Sequence, residues 1–225
     1  MNIAKYIDHT LLKPEATPDE IVQRCREAVQ YGFVSVCINP SFITLAKSIL
    51  AGSEVKVCTV IGFPLGATSS GAKLYESSIA LEEFADELDM VINVGRLKSG
   101  DVDYVRKEIK DIADCAHSYG KIVKVIIETA LLTDAEKRLA CTLAKEAGAD
   151  GVKTCTGFAP GPGANVEDVR LMRAVVGSDM IVKGSKDVST YELAKALIDA
   201  GATRIGSSKS IAIVTNAPKS DDGSY

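Results

Sequence analysis

The chain has no tryptophan and only two histidines among its 225 residues. Its six cysteines, at positions 25, 37, 58, 115, 141 and 155, include no Cys-x-x-Cys pair. With so few histidines beside them, neither a zinc site nor a disulfide framework is expected, and no metal or cofactor is called for. Positive charge is not in excess: the formal net charge is −4, with 25% of residues charged. A mildly acidic surface argues against nucleic acid or an anionic membrane as partner, though not against a local basic pocket for an anionic metabolite. No apolar run reaches ~18 residues, so no spanning helix is expected. The N-terminus lacks the pattern of a secretory signal. These absences together point to a soluble protein of the reducing cytoplasm.

What is present is apolar mass and a rhythm. Hydrophobic residues make up 46% of the chain, enough for one sizeable core and hence one domain. Strand-like runs read "DHTLL", "FVSVCINP", "VKVCTVIGF", "LDMVINVG", "IVKVIIETALL", "DGVKTCTG", "DMIVKGS" and "TRIGSS". Helical patterns lie between them. Thr17-Pro18-Asp19-Glu20 and Asp101-Val102-Asp103 open two of them, Thr133-Asp134-Ala135-Glu136 has the form of a capping box, and Val166-Glu167-Asp168 opens another. Gly32, Gly120, Gly148, Gly177 and Gly201 stand where helices should end. Strand then helix, eight times, means parallel pairing. Several runs are continuously apolar, as buried parallel strands are. In a chain this short the pattern fits a closed (β/α)8 TIM barrel of one domain, over residues 1–217. A doubly wound open sheet is the alternative. Residues 218–225 form a polar tail expected to be mobile.

In such a barrel chemistry sits at the C-terminal strand ends. Polar residues collect there: His9, Cys37, Asn39, Asp89, Asn93, Glu128, Lys153, Thr154, Thr156, Lys183 and Ser185. Period two puts Asp89, Val91 and Asn93 on one face, so Asp89 can point inward. The run "DGVKTCTGF" places a lysine where a buried strand wants Val or Ile. One such lysine reads as a strand end reaching water. Two on consecutive strands, Lys153 and Lys183, with a carboxylate in the same mouth, read as a site. At ~6 Å and an effective dielectric of ~20, two ammonium groups repel by roughly 2.8 kcal/mol. That is about two pK units, so one amine of the pair is expected to be neutral and nucleophilic near pH 7. Cys37, Cys58 and Cys155 read as packing residues. His9 reads as a hydrogen-bonding group partnered by the adjacent Asp8, and His117 as a solvated helix residue.

The segments "DHTLLKP", "GFPLGAT", "ELDMVINVG", "KVIIETALL", "DGVKTCTGF" and "VEDVRLMR" resemble the deoxyribose-phosphate aldolase family, from residue 3 to the C-terminus. The resemblance implies a metal-free class I aldolase on a (β/α)8 barrel. It would cleave 2-deoxy-D-ribose 5-phosphate reversibly to acetaldehyde and D-glyceraldehyde 3-phosphate. It implies Lys153 as the Schiff-base residue and Asp89 as proton donor and acceptor through a water. Lys183 becomes the second catalytic lysine, acting on Lys153 electrostatically and helping with proton transfer. Cys37 lines the substrate pocket, and the terminal Tyr225 reaches the site to move a proton at the enamine carbon. A sugar phosphate and aldehydes are the implied partners, and a homodimer or homotetramer the implied assembly.

The resemblance weakens at the phosphate. The family builds that site after strands six, seven and eight, which places Thr156, Gly157, Gly184, Ser185, Lys186, Gly206, Ser207, Ser208 and Lys209 there. After strand seven the family usually reads Lys-Ala-Ser-Gly-Gly-Ile-Arg, whereas this chain reads Lys183-Gly184-Ser185-Lys186-Asp187-Val188-Ser189. The loop 159–165, "APGPGAN", is one residue longer than usual. Two glycines and an arginine are missing, Asp187 adds an anion, and Lys186 and Lys209 add cations. Three functions follow as alternatives: cleavage of the phosphorylated sugar, the same chemistry on a non-phosphorylated or different aldehyde, and a silent barrel that binds a sugar phosphate.

Overall fold

In the computed structural model, which describes residues 1–216, eight parallel strands close into a barrel in sequence order. They are β1 (Ile7–Leu11), β2 (Ser35–Ile38), β3 (Lys56–Ile61), β4 (Glu87–Val91), β5 (Ile122–Ile126), β6 (Gly151–Lys153), β7 (Ile181–Ser185) and β8 (Arg204–Ser207). β1 and β8 complete the ring, with Ile7 beside Ile205. Each expected strand run overlaps one of these strands, with β1 and β4 starting one residue before theirs. The open doubly wound alternative is ruled out by the closure.

The helices are α1 (Pro18–Tyr31), α2 (Ile43–Ile49), α3 (Ser70–Glu82), α4 (Val94–Lys98), α5 (Val102–Ser118), α6 (Asp134–Glu146), α7 (Val166–Val176), α8 (Tyr191–Asp199) and α9 (Ser210–Thr215). Their starts follow the sequence signals. Thr17 with Glu20 and Thr133 with Glu136 form complete capping boxes, each such cap being worth about 1 kcal/mol. Asn165 and Thr190 cap α7 and α8 by accepting from the backbone N–H three residues on. Asp101 precedes α5 without capping it, because its carboxylate is taken by Arg96 at 3.0 Å. Gly32 closes α1 in the left-handed conformation, with φ +66°, where a side chain would be strained.

The main core lies between strands and helices. Outward-facing strand residues, among them Ile7, Val36, Ile38, Val57, Ile61, Leu88, Met90, Val123, Val125, Val152, Val182 and Ile205, pack there with the apolar faces of the helices. Every second residue points the other way, and those positions carry charge: Asp8, Glu87, Asp89, Lys124, Lys153, Lys183 and Arg204, all buried. A small apolar cluster of Leu12, Cys37, Cys58 and Val60, with Phe63 against it, stands apart from the main core.

One loop of the resemblance motifs has a steric explanation. In "GFPLGAT", a Cβ on Gly66 would strike the carbonyl oxygen of Ile92, and one on Gly62 would lie 2.8 Å from the Lys73 side chain. Lys73 is itself buried, donating to the Val91 carbonyl at 2.7 Å and pairing with Glu108 at 2.9 Å. The motif therefore lets α3 send a cation under the loop to the end of β4, two residues from Asp89.

Candidate active site

Asp89 is the centre of the charged interior. It is on β4, registered between Val60 of β3 and Lys124 of β5. Its Oδ2 accepts from Lys153 Nζ at 2.9 Å and from Lys183 Nζ at 2.7 Å, and Lys124 Nζ lies 3.0 Å from its Oδ1. Lys153 and Lys183 are register partners on β6 and β7. Sharing one oxygen, their amines can be no farther apart than the two bonds end to end. Below them Lys183 also pairs with Asp8, Arg204 links Asp8 at 2.7 Å to Glu87 at 3.0 Å, and Lys124 binds Glu87 at 2.6 Å. Gly206 makes room for this arrangement, because a Cβ there would sit 3.0 Å from Lys183 Cε.

Electrostatics assigns the protons. Burial alone would raise the Asp89 carboxyl, but the charges of Lys124, Lys153 and Lys183 outweigh it and hold Asp89 well below the usual carboxylate range. Asp8 is likewise held down against burial, by Lys183 and Arg204 first. Burial opposes the charged form of Lys183, yet Asp8 and Asp89 win and hold it well above the ordinary lysine value. The same contest, with Asp89 as the leading partner, raises Lys124. Thus Lys183 stays charged, as one member of the pair was expected to. The interior holds three carboxylates, Asp8, Glu87 and Asp89, against four cations, Lys124, Lys153, Lys183 and Arg204.

The simple repulsion of two lysines is therefore too bare a picture. The shared carboxylate lies between them, and Lys124, Glu87 and Arg204 escaped the sequence reading. Their signal was there: a charged residue at an alternate position of an otherwise apolar strand, as Lys124 in "IVKVII" and Glu87 two residues before Asp89 in "ELDMV". His9 also requires correction. Neighbours on a strand face opposite ways, so Asp8 enters the barrel while His9 faces α1. There its Nε2 meets Glu27 at 2.7 Å and Arg24 at 3.2 Å. Burial, then the Arg24 charge, push His9 down to about 4, against Glu27. His117 pairs with Asp150 at 2.9 Å on the surface.

Cys37 on β2 points its Sγ to Asp89 Oδ2, 4.0 Å away. Beyond the strand ends, Phe63 after β3 and Phe158 after β6 meet edge to face across the C-terminal side, with centroids 5.3 Å apart.

The loops after β6 and β7 are tied to each other. Glu128, in the left-handed region at φ +57°, accepts from the Thr156 N–H at 3.1 Å and from its hydroxyl. The Thr156 amide is thus already engaged. Ser185 donates to the Cys155 carbonyl at 2.8 Å. Lys186 and Asp187 keep left-handed backbones, φ +76° and +61°, so the chain follows a path usual for glycine without glycines. The Lys186 amine binds the carbonyls of Ala159 and Gly161 at 2.7 and 2.6 Å, and the Asp187 side chain lies against Gly163, where a Cβ would come within 2.7 Å of its Oδ2. The loop 159–165 is therefore latched by Lys186 and Asp187. Gly184 faces outward to Leu197 and Ala164. Ser207 donates to the Val188 carbonyl at 2.6 Å and accepts from the Lys209 N–H at 2.9 Å, and the Ser208 carbonyl accepts from Arg24 at 3.2 Å. Gly157, at φ +98°, turns the β6 loop. Tyr225 and the tail 218–225 lie outside the described residues. Among the described residues no helix is long and apolar enough to cross a membrane.

A closed barrel with two buried lysines on one carboxylate is equipped for amine chemistry on a carbonyl group. Residues 2–214 match the profile of the DeoC/LacD family aldolases, and the chain belongs to that family. It is 58% identical over 219 residues to the deoxyribose-phosphate aldolase of Thermococcus gammatolerans, covering 96% of this chain and 97% of that one. Identity to the enzyme of the same name from Thermoanaerobacter pseudethanolicus is 60% over 214 residues, 95% of this chain and 96% of that one. The tetrameric deoxyribose phosphate aldolase structure from Aeropyrum pernix superposes with a TM-score of 0.89 at 34% identity, covering 95% of this chain and 90% of that chain.

Proposed function

We propose that this chain is a class I aldolase that reversibly cleaves 2-deoxy-D-ribose 5-phosphate to acetaldehyde and D-glyceraldehyde 3-phosphate, with Lys153 as the Schiff-base residue. The observation that carries the reading is the single Asp89 oxygen shared by Lys153 and Lys183, in a chain whose curated relatives bear that enzyme's name. Attack needs the neutral form of the Lys153 amine. Lys153 Nζ adds to the aldehyde carbon of the open-chain sugar, and loss of water leaves an iminium. The proton on the 3-hydroxyl passes to Asp89 through a water as the C2–C3 bond breaks. The iminium takes the electrons as an enamine, and glyceraldehyde 3-phosphate leaves. Protonation of the enamine and hydrolysis release acetaldehyde.

Asp89 suits a relay. It is anionic in the free protein, so its first act is to accept. Three lysines keep its proton affinity low, so it passes on what it takes. Lys183, held charged by Asp8 and Asp89, supplies a fixed positive field and a proton donor at the same oxygen. Cys37 lines this pocket. Tyr225 is proposed to act at the enamine carbon. We place the phosphate near Gly157, Ser185, Lys186 and Gly206 through Lys209, and leave out of the expected set Thr156, whose amide is taken by Glu128, and Gly184, which faces outward. The assembly is proposed as a homodimer or homotetramer, on the precedent of the tetrameric relative.

The loops favour a weakened grip on the phosphate. Lys186 spends its amine on Ala159 and Gly161, and Asp187 places a carboxylate on the exposed side of the same turn. The test is kcat/KM for 2-deoxyribose with and without its 5-phosphate, in the parent and in Asp187→Gly. Removing the carboxylate relieves ~1 kcal/mol of charge repulsion on a nearby anion. It should raise kcat/KM for the phosphorylated sugar about fivefold and leave the free sugar unchanged. Equal change on both sugars, or none, would place the phosphate elsewhere.

A further inference from the structure

Cys37 and Cys58 are register partners on β2 and β3. Both thiols are fully buried inside the barrel, and with Asp89 they bring their sulfur and oxygen atoms within 4.8 Å of one another. Paired strands run ~4.8 Å apart, inside the 4.4–6.8 Å Cα separation typical of a disulfide. Side-chain rotation could therefore join the sulfurs without separating the strands. Access follows from the proposed reaction. Cys37 Sγ lies 4.0 Å from the Asp89 oxygen that binds Lys153 at 2.9 Å, so the route that brings an aldehyde to Lys153 brings a smaller oxidant to Cys37.

We propose that Cys37 and Cys58 form an oxidation site beside the reacting lysine, where hydrogen peroxide converts the dithiol to a disulfide that stops turnover until a thiol reductant reopens it. The Cys37 sulfur attacks one peroxide oxygen, the O–O bond breaks, and the second oxygen leaves as water, giving a sulfenic acid. The Cys58 sulfur then attacks the Cys37 sulfur, the S–O bond breaks, and a second water leaves. Two thiols are oxidised by two electrons, one peroxide is reduced, and the thiol hydrogens end in water.

The environment divides the two roles. A hydrogen bond from Cys58 brings the Cys37 thiol down to about 7 against burial, with help from the Lys183 and Lys153 charges. Burial, then the same hydrogen bond, hold Cys58 well above the usual thiol value. Cys37 is thus the sulfur that reacts first, and Cys58 the one that resolves it. Closing the bond to ~2.05 Å draws Cys37 from Asp89 and Cys58 from Lys124 Nζ, now 3.8 Å from its sulfur. The loss of turnover, and the route by which peroxide reaches Cys37, rest on the aldolase reading given above, whereas the register that lets the two sulfurs join does not.

The experiment exposes the full chain to hydrogen peroxide, blocks remaining thiols under denaturing conditions and maps the peptides by mass. The expected result is one crosslinked pair, the peptides carrying Cys37 and Cys58, lighter by two hydrogens. Aldolase activity should fall at least tenfold in step with the crosslink and return with dithiothreitol. In Cys58→Ser the crosslink cannot form, and peroxide should leave Cys37 as a sulfenic acid, trapped by dimedone as a single adduct on its peptide. Absence of the crosslink in the parent would overturn the proposal even if the variant cannot be produced. So would a Cys58→Ser protein in which Cys37 takes no such adduct, or an unchanged rate in fully crosslinked protein. A protein that forms the crosslink but never cleaves the sugar would keep the bond and overturn the aldolase reading.

Discussion

Replacing Lys153 with alanine is expected to lower kcat for cleavage of deoxyribose 5-phosphate by roughly 10⁴-fold or more, the scale on which enzymes lose turnover when a covalent nucleophile is deleted. The fold should survive. The barrel interior carries one cation more than its three carboxylates. Lys153 holds Asp89 by one oxygen that Lys183 also binds, while Lys124 remains on the other. Its loss therefore leaves every carboxylate partnered. Lys124→Met should cost more stability, since that cation lies on the Asp89 oxygen that neither other lysine binds and also pairs with Glu87. With Arg204 still on Glu87, the loss should stay below the ~3–5 kcal/mol of an orphaned buried charge. Steady-state kinetics with thermal melts of both variants separates the cases. A Lys153→Ala protein with substantial turnover, or one that no longer folds, contradicts the account.

Asp89→Asn is expected to reduce kcat by about 10²–10⁴-fold, the usual contribution of a positioned proton-transfer group. The amide keeps the shape and can still accept from the lysines, but it cannot take a proton as a carboxylate does. The substitution leaves the Lys153 amine itself unaltered. Formation of the Schiff base should therefore continue while carbon–carbon cleavage slows. The measurable signature is a variant that still traps acetaldehyde on reduction but turns over the sugar slowly. Loss of trapping together with turnover would make Asp89 a scaffold for Lys153 instead of a proton relay.

The barrel was legible because its outward face is written in an unbroken code. Val36, Ile38, Val123, Val125, Val152 and Val182 repeat at period two against helices whose starts, Thr17 and Thr133, carry complete capping boxes. The inward face was legible only in part. Lys153 and Lys183 stood out as cations in apolar strands on adjacent units. Glu87 and Arg204 share that pattern but open their strands, where a search confined to the C-terminal mouth does not look, and Lys124 stands mid-strand beside Asp89. The partner of His9 was misassigned because sequence adjacency was allowed to outweigh strand alternation. The latch of Lys186 onto Ala159 and Gly161 was out of reach, since a positive φ at a lysine is a property of the folded turn and leaves no mark in composition.

The most direct test of the central claim is to incubate the protein with acetaldehyde, reduce with sodium borohydride and map the modified peptide by mass. The account predicts one added ethyl group, carried by Lys153, in the parent and none at that peptide in Lys153→Ala. An ethyl group on Lys183 or Lys124 with Lys153 unmodified, or a fully active enzyme that reduction does not label or inhibit, would contradict it.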